Sequence, residues 1–222
     1  MRDPDLFSNG AVYHIYNRGV DKRTIFSDAS DYSRFIDGIV AFNEVGRKAV
    51  QSLSHIAKRI VNEHPYVRTI CYCLMPNHFH LMLEQVESGG ISEYMRRLGT
   101  GYTKYFNKRN ERSGRLLESA YKIKRIETTD QFNHLSRYIH LNPLKLAGID
   151  LNKERIRWNQ AEAILSRYPW SSFRHYAGAE RQPFIDMQTG LQYIGSPSDY
   201  MRFLSEWMES APSPLHPTPG VG

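Results

Sequence analysis

The chain has 222 residues, 41% of them apolar and 23% charged, which is room for one decorated domain or two small ones and excludes a disordered or collagen-like chain. No apolar run approaches the ~20 residues that span a bilayer, and Met1 to Leu6 lacks a signal-peptide core, so the expected address is cytoplasmic. The net charge of +6 is unevenly spread: Arg96 to Ile126 holds ten basic residues against two acidic ones.

In chain order, Ala11 to Asn17 alternates, with Val12, His14 and Tyr16 on one side and Tyr13 and Ile15 on the other. That pattern predicts a first strand. Asp28 to Val45 carries Tyr32, Phe35, Ile36, Ile39, Val40 and Phe42 at helical spacing, with Asp28 or Ser30 as the cap. Gly46 to Pro65 fits either a second helical stretch or a basic loop insertion. Val67 to Met75 and His78 to Val86 read as strands joined tightly at Pro76-Asn77. In the second of these, His78, His80, Met82 and Glu84 share one face, and Phe79, Leu81 and Leu83 take the other, the expected core side. Ile91 to Arg109 is helical, and Tyr121 to Ile126 is a fourth strand. The order strand, helix, strand, strand, helix, strand predicts an α+β fold with a ferredoxin-like central antiparallel sheet and helices on one face.

Beyond the sheet, Thr128-Thr129-Asp130 caps a helix from Gln131 to about Asn142, where Pro143 is expected to stop it. Three parts follow from this reading: a domain over residues 8–149, a C-terminal helical extension over 150–209, and a flexible tail over 210–222 with four prolines and no charge. Cys71 and Cys73, two apart on a strand, are read as small core residues.

Concentrated positive charge suits a phosphate backbone, since each neutralised phosphate releases counterions; a solvated helix face is the alternative. Arg115, Lys122, Lys124 and Arg125, then Arg96, Arg97, Lys104 and Lys108, are the candidate phosphate contacts on charge alone. Tyr94, Tyr102, Tyr105, Phe106 and Tyr121 interleave with the basic residues, as a base-stacking surface requires, although several must also serve the core. His78 and His80, at i and i+2 on a strand, point the same way and can share one metal ion. Farther along, Tyr138 and Asn142 are four apart on a helix and share a face.

His78-Phe79-His80 together with Tyr138-Ile139-His140-Leu141-Asn142-Pro143 resembles the HUH single-strand endonucleases, and more closely their single-tyrosine branch, the REP-associated tyrosine transposases with an IS200-like domain. Tyr13-His14-Ile15-Tyr16-Asn17-Arg18-Gly19, Asp31-Tyr32 and Tyr168-Pro169-Trp170-Ser171-Ser172-Phe173 extend the resemblance to residues 8–178. It implies His78, His80 and Asn142 as ligands of Mg2+ or Mn2+, and Tyr138 as a nucleophile that forms a 5′-phosphotyrosine on single-stranded hairpin DNA. No nucleotide cofactor is implied, His140 is left out of the metal set, and monomer and homodimer stay open. The stretch Arg115-Leu116-Leu117-Glu118-Ser119-Ala120-Tyr121-Lys122 departs from the family's aromatic and Gln-Gly-Arg pattern, which bears on hairpin recognition more than on chemistry. Two other readings stand beside the enzyme: a domesticated hairpin-binding protein with weak or no cleavage, and an RNA-binding ferredoxin-like module. The histidines on the sheet face, where stacking aromatics would belong, count against the RNA module.

Overall fold

The computed structural model describes residues 7–46, 62–151, 153, 154 and 156–210. Most of the Gly46 to Pro65 stretch and nearly all of the proline-rich tail therefore lie outside the described residues. Strand β1 (Val12–Arg18) is followed by α1 (Ala29–Ala41), β2 (Val67–Met75), β3 (His78–Gln85), α2 (Gly90–Arg109) and β4 (Lys122–Ile126). This is the predicted order of elements. Asp28 caps α1 by accepting from the Ser30 and Asp31 amides, as its short carboxylate at a helix start favours.

The four strands form one antiparallel sheet in the order β2-β3-β1-β4. Its register sets the site: Cys73, His80, Tyr16 and Lys122 form one row across the sheet, and residues in a row share a face. Helices α1 and α2 cover the opposite face, where Phe35 meets Phe79 at 5.0 Å and Tyr102 at 5.0 Å between ring centroids. Close approach of α1 to α2 needs Gly101, because a Cβ there would lie 2.6 Å from the Phe42 ring.

The histidine face is buried as well, which differs from the single covered face expected of the sheet. From Phe79 to Gln85 every residue of β3 is buried. Helix α3 (Thr129–Leu141) lies over this face, and α4 (Trp158–Ser166), α5 (Phe173–Tyr176), α6 (Met187–Ile194) and α7 (Pro197–Glu209) complete the chain. Glu84 consequently ends in an ion pair with Arg68. The outer edge of β2 is also covered: the Leu74 amide donates to Trp170 O at 2.9 Å, and the Tyr72 amide donates to Ser172 Oγ at 2.8 Å. Covering an edge in this way satisfies its ladder groups and blocks pairing with another chain.

Helix α3 ends at Leu141, just before Pro143 as expected, but the chain does not leave helical backbone there. Asn142 keeps helical backbone angles (φ −51°, ψ −40°), and the chain runs on as a 3-10 segment, Asn142–Ala147. Proline lacks an N–H but tolerates the first position of a new helical turn, and here Pro143 and Leu144 are buried. Packing outweighs the preference of a pre-proline residue for extended backbone.

Candidate active site

His80 sits in the centre of the sheet, 0% exposed, and His78 lies at the mouth of β3, half-buried. Their ring centroids are 5.1 Å apart and nearly perpendicular. Tyr138, brought in by α3, sets its ring edge-on to His80 at 5.2 Å between centroids. Residues sixty apart in sequence thus meet within one chain. A pocket of about 10 Å³ opens beside them, lined by Tyr16, Asn17, Arg18, His78, Phe79, His80 and Lys122.

Each histidine has an outer partner that fixes its ring. Asn77 Oδ1 lies 2.6 Å from His78 Nδ1, while the same amide donates through Nδ2 to Lys22 O. An amide oxygen only accepts, so the proton is on His78 Nδ1 and a lone pair is left on Nε2. His80 Nδ1 lies 2.9 Å from His14 Nε2, and among the described residues His80 Nε2 is buried with no hydrogen-bond partner. An orphaned N–H is costlier in the interior than an orphaned lone pair. His80 therefore donates from Nδ1 to His14, and its Nε2 presents a lone pair.

All three rings are held neutral. Burial, then the Lys124 charge, takes His14 down to about 3. Burial, then Lys145 and Arg18, takes His78 to about 4. His80 is driven well below its ordinary value by burial first, then by His14, His78 and Lys145. Neutral imidazoles are the form that binds metal.

Asn142, 1% exposed, donates through Nδ2 to Tyr138 O at 2.8 Å, and its Oδ1 accepts from Lys145 Nζ at 3.1 Å. The Lys145 ammonium also stands 5.0 Å from the centroid of the Tyr138 ring. His140 turns away: wholly buried, it bonds the Tyr200 hydroxyl at 2.6 Å and Ser172 Oγ at 2.8 Å, joining α3 to α7 and to the segment on the β2 edge. No three His, Cys, Asp or Glu side chains gather as a metal cluster among the described residues. The residues that could hold a cation are His78 and His80, each with a lone pair on Nε2, together with the Asn142 amide oxygen, and the buried His80 Nε2 has no hydrogen-bond partner among the described residues. Nitrogen and oxygen donors together are a set that a divalent ion could accept.

The candidate phosphate contacts divide by location. Lys122 and Lys124 are exposed on the edge strand β4, in the rows of Tyr16 and His14, and so share the face of the histidines. Arg125 pairs in register with Tyr13 and takes the opposite side. Arg96 and Arg97 are each bound to Glu93 at 2.7 Å, and Lys104 and Lys108 are exposed on α2, which packs beneath the sheet. Arg115 is exposed in the loop before β4, where its carbonyl accepts from Arg112. Of the interleaved aromatics, Tyr94, Tyr102, Phe106 and Tyr121 are buried and are unavailable for stacking on bases. A helix with one charged and one aromatic stripe buries the aromatic one.

Sequence reasoning gave no role in the site to His14, Tyr16, Asn77 or Lys145. The alternation of β1 puts His14 and Tyr16 on one side, but only the β1–β3 register sets them against His80.

Taken together, the fold and site define a mixed α+β protein whose antiparallel sheet carries an imidazole pair against a helical tyrosine. Residues 41–142 match the family model described as Transposase IS200 like, a stretch that includes His78, His80, Tyr138 and Asn142. Over that stretch the chain is homologous to the IS200-like transposases. A solved structure described as the REP-associated tyrosine transposase bound to a REP hairpin superposes with a TM-score of 0.52 at 15% identity, covering 83% of this chain and 88% of that one. At that identity the likeness is one of fold. Among curated proteins none matches the chain. No helix among the described residues is long and apolar enough to cross a membrane.

Proposed function

We propose that the protein is a metal-dependent single-strand DNA transposase of the HUH tyrosine type, acting on hairpin-forming DNA. The observation that carries this reading is the buried His80 Nε2, without a hydrogen-bond partner among the described residues, beside the Tyr138 ring. His78 Nε2, His80 Nε2 and Asn142 Oδ1 would hold Mg2+ or Mn2+, a set without negative charge. When bound, the cation supplies Lewis-acid polarisation of a scissile phosphate.

The chain's own residues account for the rest. Tyr138 Oη attacks phosphorus and gives up its phenolic proton; the P–O3′ bond breaks, and the departing 3′ oxygen takes up a proton. The product is a 5′-phosphotyrosine with a free 3′-hydroxyl, which keeps the bond energy for rejoining. Asn77 and His14 hold the two imidazoles in the tautomers that leave both Nε2 atoms available. Lys122 and Lys124 lie on the same face and supply positive charge for the strand being cut. The homology to IS200-like transposases and the fold shared with a hairpin-bound transposase support the substrate class.

The test is covalent capture. A labelled single-stranded hairpin incubated with Mn2+ should give a detergent-stable adduct with the wild type and none with Tyr138→Phe, while hairpin binding by the variant stays within a few-fold. An adduct on Tyr138→Phe would remove the nucleophile assignment. Hairpin binding without an adduct in the wild type would favour the domesticated binding protein instead.

A further inference from the structure

The ligand set proposed above leaves Lys145 unexplained. Its ammonium reaches the buried Asn142 Oδ1 at 3.1 Å and stands 5.0 Å from the Tyr138 ring centroid. The local fold dictates this placement: Pro143 turns the end of α3 into a 3-10 segment, in which residues three apart eclipse, so Lys145 lies over Asn142. We propose that Lys145 is the site's resident cation, competing with the divalent ion for Asn142 Oδ1 and freed by metal loading to contact the scissile phosphate. The inference rests on the metal-ligand reading of Asn142.

Three features argue for it. A divalent ion bound to Oδ1 at the usual ~2.0–2.6 Å and an ammonium on the same oxygen would stand within strong repulsion of each other, so occupancy by one disfavours the other. The same ammonium stands 5.0 Å from the Tyr138 ring centroid, so the site already holds a positive charge before any metal enters. Finally, Lys145 is an exposed residue, so its side chain has an open route away from Asn142 without unpacking the core. Once displaced, its ammonium is free to pair with a phosphate held at Tyr138, an anion in place of the neutral amide oxygen it gave up.

The test is Mn2+ binding without DNA, followed by calorimetry and by the electron paramagnetic resonance signal of the free ion. Lys145→Met keeps the stem and removes the charge; it should tighten Mn2+ binding about tenfold, and Lys145→Gln should do the same. In an Asn142→Ala background, where the contested oxygen is gone, Lys145→Met should give a gain of under about threefold. His78→Ala should abolish binding in every background. If His78→Ala abolishes binding but Lys145→Met leaves it unchanged or weaker, the competition is refuted and the ligand set stands. Equal tightening with and without Asn142 would also refute competition for that oxygen. Absence of any His78-dependent binding in all variants overturns both the competition and the ligand set.

Discussion

Replacing His14 with phenylalanine probes the link between the first strand and the candidate site. The ring would keep its volume and its stack on Tyr16, 4.7 Å away between centroids at 25°, while losing the nitrogen that accepts from His80 Nδ1. His80 is 0% exposed, so its Nδ1–H would be left buried and unpaired, a cost of about 1–3 kcal/mol. Moving the proton to Nε2 would not recover that cost, because Nε2 is also buried with no hydrogen-bond partner among the described residues, and it would remove the lone pair offered to a metal. His14→Phe should therefore lower the urea-unfolding free energy by about 1–3 kcal/mol and weaken Mn2+ binding ~10–100-fold, the usual scale for losing an outer partner of a metal-bound histidine. Long-range proton–nitrogen correlation on 15N-histidine protein reads the tautomer directly. The wild type should show His80 protonated at Nδ1. A wild-type proton on Nε2, or a variant with unchanged stability and affinity, would refute the reasoning.

Other outcomes follow from the same structure. Lys122→Ala and Lys124→Ala should each reduce the slope of log affinity against log salt by about 0.7 for a single strand, whereas Arg96→Ala should leave it unchanged because its guanidinium is already paired with Glu93. Equal effects of all three would place the DNA elsewhere. His140 is held neutral, down to about 3, by burial and then by the His175 charge, whereas in the unfolded chain it takes a proton near pH 6.5. Because the folded value is the lower one, its stabilisation is complete above about pH 6.5 and is lost as pH falls toward 3, by about 2 kcal/mol at pH 5. Unfolding free energies from urea at pH 7.5 and 5 should differ by more than this, because His14, His78 and His80 are held neutral in the same sense, and His140→Gln should shrink the difference by about 2 kcal/mol; parallel pH profiles would exclude His140 as a source. Phe79→Ala should cost about 3–5 kcal/mol, since the ring is 1% exposed against Phe35; a loss below 1 kcal/mol would contradict that packing.

Much of this architecture was legible in the order of residues. Period-two runs and period-3.6 runs alternate cleanly through β4, and Asp28 and Thr128 cap the helices they precede. The imidazole pair was legible for the same reason, because i and i+2 on a strand must share a face. What the pattern could not carry was tertiary: that α3 covers the histidine face, so a polar row is buried, depends on packing between segments sixty residues apart. Pro143 marked the end of α3, but not the 3-10 segment that follows, because burial of Pro143 and Leu144 outweighs the local preference for extended backbone before a proline. Lys145 stayed hidden since an isolated lysine after a proline has no signal until the 3-10 turn sets it over Asn142. In the basic segment, charge counts do not distinguish a guanidinium paired with Glu93 from an exposed ammonium on the histidine face.

The central claim is that His78, His80 and Asn142 hold one divalent cation beside Tyr138. Anomalous diffraction at the manganese edge, from crystals of the protein soaked in Mn2+, tests it most directly. The account predicts one strong peak within bonding distance of His78 Nε2, His80 Nε2 and Asn142 Oδ1. Crystals that bind manganese elsewhere, or leave that position without a peak at saturating Mn2+, would contradict it.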